Sequence, residues 1–187
     1  MTHQGSKTLE SSRLILRKFA IEDADAMYNN WANDPEVTKY LSWPTHTSAS
    51  VSQEVIASWL PQYDSDAYYH WAIVLKENNQ PIGSTGAARQ KDNIKMVEIG
   101  YCIGRKWWGQ GITSEVLRLL MAFFFDEVKI NRLAAEHDTR NPASGRVMEK
   151  CGLVREGTLR QGGFNNQGVG DNAVWSILAE EYLGLKK

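Results

Sequence analysis

The sequence predicts an α+β fold, a mixed and mostly antiparallel sheet packed against about four helices. Three observations predict it. Strand-like runs at Tyr68 to Leu75, Ile82 to Arg89 and Val97 to Ile103 succeed one another across short turn signals, the pattern of an antiparallel meander. One long segment, Ile112 to Val128, sets Leu117, Leu120, Met121 and Phe124 at i, i+3, i+4 and i+7, an apolar face at helical period. Between meander and helix stands Gly109-Gln110-Gly111, where residues without Cβ atoms let the backbone turn sharply.

The elements follow in order. Arg13 to Phe19 alternates as a strand. Glu22-Asp23-Ala24-Asp25 places carboxylates at the start of a helix that runs to about Trp31, where they complement the helix dipole. Asn33-Asp34-Pro35 breaks it, and Pro35 to Pro44 reads as irregular chain. Ser52 to Leu60 is a second helix, stopped at Pro61. The aromatic and β-branched run Tyr68 to Leu75 is a strand, reversed by Glu77-Asn78-Asn79-Gln80-Pro81 into Ile82 to Arg89. Lys91-Asp92-Asn93 reverses the chain again into the strand containing Glu98. After the long helix come a strand around Leu133, a short helix from Pro142 to Cys151, and two final strands.

No repeat, low-complexity segment or linker divides the 187 residues, a length that fits one domain burying about 70% of its unfolded surface. We expect a mobile tail at 1–9, one domain at 10–183 and a short tail at 184–187. A net charge of −1 supplies no global field toward nucleic acid or a membrane surface. The nearly apolar run Val116 to Phe125 is interrupted by Arg118 and is shorter than the ~20 residues of a membrane span. The first residues lack the apolar core of a secretory signal. Two cysteines, Cys102 and Cys151, and four scattered histidines form neither a disulfide framework nor a metal set. The expectation is a reduced, cytoplasmic, metal-free protein, monomer or homodimer, with no nucleic-acid or membrane partner.

The stretch Arg105-Lys106-Trp107-Trp108-Gly109-Gln110-Gly111-Ile112-Thr113 carries the first functional signal. A helix start leaves N–H groups unpaired and carries partial positive charge, so it can hold phosphate. Arg105 and Lys106 would add charge attraction. A dinucleotide fingerprint would need a third glycine where Ser114 stands, and the Gly-Lys-Ser/Thr of an ATP-binding loop is absent. The cradle therefore belongs to neither of those folds.

In order along the chain, Val97 to Ile103, Lys106-Trp107-Trp108-Gly109-Gln110-Gly111, Asn131 to His137, Asn141-Pro142-Ala143-Ser144 and Glu149 to Leu153 resemble the GNAT acyl-CoA N-acyltransferases. The family's diphosphate signature, Gln/Arg-x-x-Gly-x-Gly/Ala, falls on Lys106, Gly109 and Gly111. With Glu10 to Arg17, Arg155 to Arg160 and Asp171 ahead of Ala173 to Ile177, the chain is most similar to the ribosomal-protein N-terminal acetyltransferases of RimJ/RimL type. The resemblance implies a splay between two parallel strands, around Glu98–Ile103 and Leu133–His137, with the pantetheine of acetyl-CoA between them. It also implies acetyl-CoA as cosubstrate and an amine acceptor, either a protein N-terminus or a small amine.

By that resemblance the cosubstrate contacts are Tyr101, Cys102, Ile103, Lys106, Trp108, Gly109, Gln110, Gly111, Ile112, Thr113, Asn141 and Ser144. Glu98 takes the place of a general base and shares a strand face with Gly100 and Cys102; its alternative is a glutamate in a salt bridge. Asn141 followed by Pro142 is a helix N-cap pattern, and the family also uses this asparagine to hold pantetheine. By the same resemblance Ser144 points toward the CoA sulfur; the family's usual general-acid tyrosine is replaced by Met148, so Ser144 or water protonates the departing thiolate, or positioning supplies most of the acceleration. Trp31, Tyr40, Trp43 and His46 fall in the segment that covers the acceptor. Glu115 reads as a helix-dipole partner, directed away from the phosphates.

Amine basicity separates the acceptors. A peptide α-amine titrates near ~8, so roughly a tenth is neutral at pH 7, against about one in a few thousand for a lysine-like amine. The favoured acceptor is an N-terminal α-amine. A polyamine, amino acid or aminoglycoside-like drug is the alternative, and a non-catalytic CoA sensor stands behind both.

Overall fold

The computed structural model describes residues 1–186 and is built on one eight-stranded sheet. The strands are β1 (Leu9–Glu10), β2 (Leu14–Arg17), β3 (His70–Leu75), β4 (Gln80–Lys91), β5 (Met96–Ile103), β6 (Arg132–Asp138), β7 (Val154–Asn165) and β8 (Gly168–Leu178). Their order is β1-β2-β3-β4-β5-β6-β8-β7. All neighbours are antiparallel except β5 and β6. Among the described residues the α-helices are α1 (Ala24–Met27), α2 (Pro35–Thr38), α3 (Ala49–Trp59), α4 (Ile112–Ala122), α5 (Pro142–Lys150) and α6 (Ala179–Leu185).

The parallel pair is joined as such pairs must be, by a crossover: β5 leads into α4, and the chain returns through β6. Helix α4 buries Val116, Leu117 and Leu120 completely against one face of the sheet, beside Leu14, Val97 and Leu133. Each such leucine contributes about 1.5–3 kcal/mol. The opposite face packs α1 and α3 through Met27, Trp31 and Ile56 against Ala72 and Val74. Alternation along β5 therefore sends Val97, Ile99 and Ile103 toward α4 and Glu98, Gly100 and Cys102 toward the other face.

Several expectations are corrected. The helix expected over Ile112 to Val128 is α-helical only to Ala122 and widens into a π-turn at Phe123–Val128, capped by Lys129 at φ 61°. The break at Asp34-Pro35 also starts α2, because the Asp34 side chain accepts the Glu36 N–H at 3.0 Å. Residues 1–9, expected as a tail, lie against the domain: Thr2 N–H donates to the Val128 carbonyl, and the Trp71 indole donates to the Lys7 carbonyl, at 2.8 and 2.7 Å. At the other end, 184–185 complete α6, and position 187 lies outside the described residues. Among the described residues, no helix is long and apolar enough to cross a membrane.

Candidate active site

Strands β5 and β6 pair from Met96 opposite Arg132 to Ile99 opposite Ala135, and then part. Beyond that point the edge of β5 facing β6 has no strand partner, so its backbone groups are available to a ligand. A cavity of about 680 Å³ passes through the sheet at this opening. On one face it reaches Glu36, Tyr40 and Leu41; on the other it reaches the head of α4 and the flank of α5.

The glycine cradle lies at the α4 end. Gly109 and Gly111 both have φ 74°, a left-handed backbone that costs an L-residue roughly 1–2 kcal/mol. Among the described residues, the N–H groups of Gly109, Gly111, Ile112 and Thr113 have no protein acceptor, and all four residues line the cavity. They form the unpaired helix start that an anion fits. Trp108 also lines the cavity, its indole N–H held by the Ile103 carbonyl at 2.9 Å.

The two basic residues expected at the cradle face elsewhere. Arg105 is paired with Asp34 at 2.9 Å. Lys106 sits over the Trp107 ring, 5.4 Å from its centre, and with Gln110 lines a separate recess. Beneath the loop, Arg13 donates to the Gln110 carbonyl at 3.0 Å and to Glu115 at 2.6 Å. Burial would raise the Glu115 carboxyl, but the bonds from Ser11 and Arg13 outweigh it and hold it below its ordinary range. Glu115 is thus a brace for the cradle loop.

Across the cavity, α5 packs close to β6. A Cβ on Gly145 would fall 2.7 Å from the His137 ring, so only glycine allows this approach. The neighbouring Ser144 then meets Tyr101 of β5, whose hydroxyl lies 3.0 Å from Ser144 Oγ. Burial pushes the Tyr101 phenol up to about 12, with the Ser144 hydrogen bond opposing. Asn141 stands at the N-cap position with Pro142 following, but its side chain makes no capping bond and lines the cavity instead. Met148 is buried and fills space as an apolar side chain.

On the opposite face, Cys102 lines the cavity beside Ser84. Burial raises its thiol above the ordinary range, against weaker pulls from Ser84, so it is a protonated wall residue. Glu98 does not line the cavity. It sits opposite Ala134 in the paired part of the sheet, gripped by Arg89 through both Nε and Nη2. A one-residue bulge at Ala88 shifts the register from Ala87–Ile99 to Arg89–Glu98 and so delivers Arg89 to the Glu98 face.

Of the acceptor residues expected, Tyr40 alone lines the cavity. Trp31 is wholly buried in the α1–α3 core. His46 is buried against Trp43 and bonded to Ser52 at 2.8 Å, with burial lowering its pKa. Sequence reasoning missed Arg89, Glu136, His137 and the Tyr101 phenol. Alternation from Ile99 and Ile103 signals that Tyr101 faces α5; the bulge that places Arg89 has no such signal.

A family model described as an acetyltransferase (GNAT) domain matches residues 13–154. The chain is 32% identical over 178 residues to the "uncharacterized N-acetyltransferase p20" of Bacillus licheniformis, covering 95% of this chain and 99% of that one. It is 26% identical over 140 residues to the ribosomal-protein-serine acetyltransferase of Escherichia coli, covering 75% and 78%. Among solved structures, it resembles the microcin C7 self-immunity acetyltransferase MccE, in complex with acetyl-CoA and AMP, with a TM-score of 0.81. That likeness carries 21% identity and covers 90% of this chain and 93% of the other. The family match runs from β2 through α5, across every element that frames the cavity, and the chain belongs to the GNAT family of acetyl-CoA-dependent N-acetyltransferases.

Proposed function

We propose that this enzyme acetylates the N-terminal α-amine of a protein or peptide, the amine attacking the thioester directly while both substrates are bound. The carrying observation is the single cavity that joins the Tyr40 face to the α4 cradle through the splay. Both substrates then meet in one space, and Cys102, held as a thiol, is not needed as an acyl carrier.

In this reading the N–H groups of Gly109, Gly111, Ile112 and Thr113 hold the diphosphate. Asn141 and the freed backbone of Tyr101 to Ile103 hold pantetheine and polarise the carbonyl. The amine nitrogen forms its bond to the acetyl carbon, the carbon–sulfur bond breaks, and Ser144 protonates the thiolate. Ser144 recovers a proton from those the nitrogen sheds through solvent. Holding the two reactants together supplies much of the acceleration. The α-amine is favoured because about a tenth of it is already neutral at pH 7, and because a relative named a ribosomal-protein-serine acetyltransferase matches three quarters of the chain. We place this activity in the cytoplasm.

The test is the initial rate of acetyl-CoA-dependent thiol release with peptides bearing free Ser or Ala N-termini, set against polyamines, free amino acids and amine antibiotics. Turnover on the peptides alone is the expected result. Turnover confined to a small amine would overturn the acceptor while keeping the transferase.

A further inference from the structure

We propose that Glu136 of β6, not Glu98 of β5, takes the proton from the incoming ammonium; this rests on the acetyl-transfer reading above. The register makes the assignment. Ile99 opposite Ala135 is the last paired position, so Gly100 and Glu136 are the first residues to face each other across the opening. Glu136 lines the cavity, and Glu98 lies within the closed part of the sheet.

The space in front of Glu136 suits an amine. Gly100 is exposed, and a Cβ there would meet no heavy atom within 4 Å. A primary amine entering from the Tyr40 face passes over this bare backbone with a carboxylate on the opposite strand.

The charges around the two glutamates are unequally shared. Arg89 grips Glu98 through two nitrogens but reaches Glu136 through one, at 3.3 Å. The other oxygen of Glu136 accepts from Asn172 at 3.1 Å. A carboxylate has about four acceptor sites, so these two bonds aim Glu136 and leave it room for a substrate N–H. Asp138, next on the same face, is occupied by Arg140 and Asn165. One guanidinium between Glu98 and Glu136 leaves a net negative charge beside the opening. In the step itself, an ammonium N–H proton passes to a Glu136 oxygen and on to solvent. The neutral nitrogen uses its freed electron pair to bond the acetyl carbon.

The experiment compares Glu136→Gln and Glu98→Gln with two kinds of acceptor at pH 7. One is an alkylammonium, a tetrapeptide with a free N-terminal serine or spermidine, whichever the wild-type enzyme turns over. The other is hydroxylamine, which is already neutral and needs no base. Glu136→Gln should lower kcat/KM about tenfold for the peptide, or about a hundredfold for spermidine, from the fraction of neutral amine and the usual size of general-base effects. Hydroxylamine turnover and calorimetric acetyl-CoA affinity should stay within about threefold, which also shows that the variant is folded. Glu98→Gln should leave both acceptors within about threefold. Independently, Gly100→Val should raise the acceptor KM without changing acetyl-CoA affinity. Equal losses on both acceptors, or a larger loss from Glu98→Gln, would overturn the assignment and leave the transferase standing. Wild-type turnover of hydroxylamine alone, or of nothing, would overturn both.

Discussion

The Tyr101 hydroxyl bridges the serine of α5, 3.0 Å from Ser144 Oγ and 3.3 Å from the Ser144 carbonyl. Because burial foremost holds the phenol up to about 12, it stays protonated at working pH and orients Ser144. Ser144→Ala should lower kcat on the order of a hundredfold, and Tyr101→Phe by a lesser factor, with acetyl-CoA affinity preserved. The two losses should not add, since Tyr101 acts through Ser144. A double variant whose loss equals the product of the single ones would show the pair to be independent.

The cradle glycines are sensitive for conformational rather than steric reasons. A Cβ on Gly109 would meet nothing in the protein within 4 Å, but φ is 74°. Gly109→Ala should therefore cost about 1–2 kcal/mol of stability. It should also weaken acetyl-CoA binding, because the new methyl projects where the ligand approaches. Calorimetry and thermal melts check both; unchanged affinity would move the diphosphate elsewhere.

The segment that brings Tyr40 and Leu41 to the cavity is tied to the β7–β8 turn. The Asn166 amide donates to the Thr38 and Trp43 carbonyls, both at 2.8 Å, and its backbone N–H reaches Leu41. Asn166→Ala removes the two side-chain bonds, worth about 1 kcal/mol each. The expected result is a several-fold rise in acceptor KM with acetyl-CoA KM unchanged. Steady-state kinetics with each substrate varied in turn distinguishes this from a general loss of fold.

His70 should govern part of the acid stability. Its imidazole, half-buried and packed between Phe19 and Trp59, is lowered to about 4 by desolvation, against about 6.5 when unfolded. The folded state then binds fewer protons than the unfolded one, so stability is full above pH 6.5 and declines as pH falls toward 4. The loss across that window is on the order of 3 kcal/mol. Urea midpoints measured from pH 7 to 4.5 should fall steeply for the wild type and less for His70→Gln. Parallel slopes would remove His70 from the account.

Much of the fold was legible because periodicity reports burial. The meander, α4 and the close of the chain all follow apolar alternation or helical spacing, and positive φ at Gly109 and Gly111 is what two glycines just before a helix imply. The candidate site was legible where its geometry rests on backbone, at the glycine turn and at the helix start of Asn141-Pro142. It was not legible where function rests on register. Nothing in local sequence says that pairing stops at Ile99, and so Glu98 and Glu136 could not be ranked. Trp31 and His46 misled because aromatic residues in an irregular stretch look the same whether they line a pocket or fill a core.

The bulge at Ala88 has a consequence for how this site can change. From Gly83 to Ala87, odd-numbered residues of β4 belong to the α4 side; from Arg89 onward the parity is inverted, and Arg89 stands on the side of Glu98. Deleting Ala88 would let the strand run in regular alternation with Arg89 still opposite Glu98, whereas flattening the bulge at full length would set Ala88 opposite Glu98, turn Arg89 toward the helix core and strip Glu98 of its counter-ion. The pairing of Arg89 with Glu98 thus depends on one residue kept out of the ladder, and a change that ironed the strand flat at Ala88 would undo it without touching either partner.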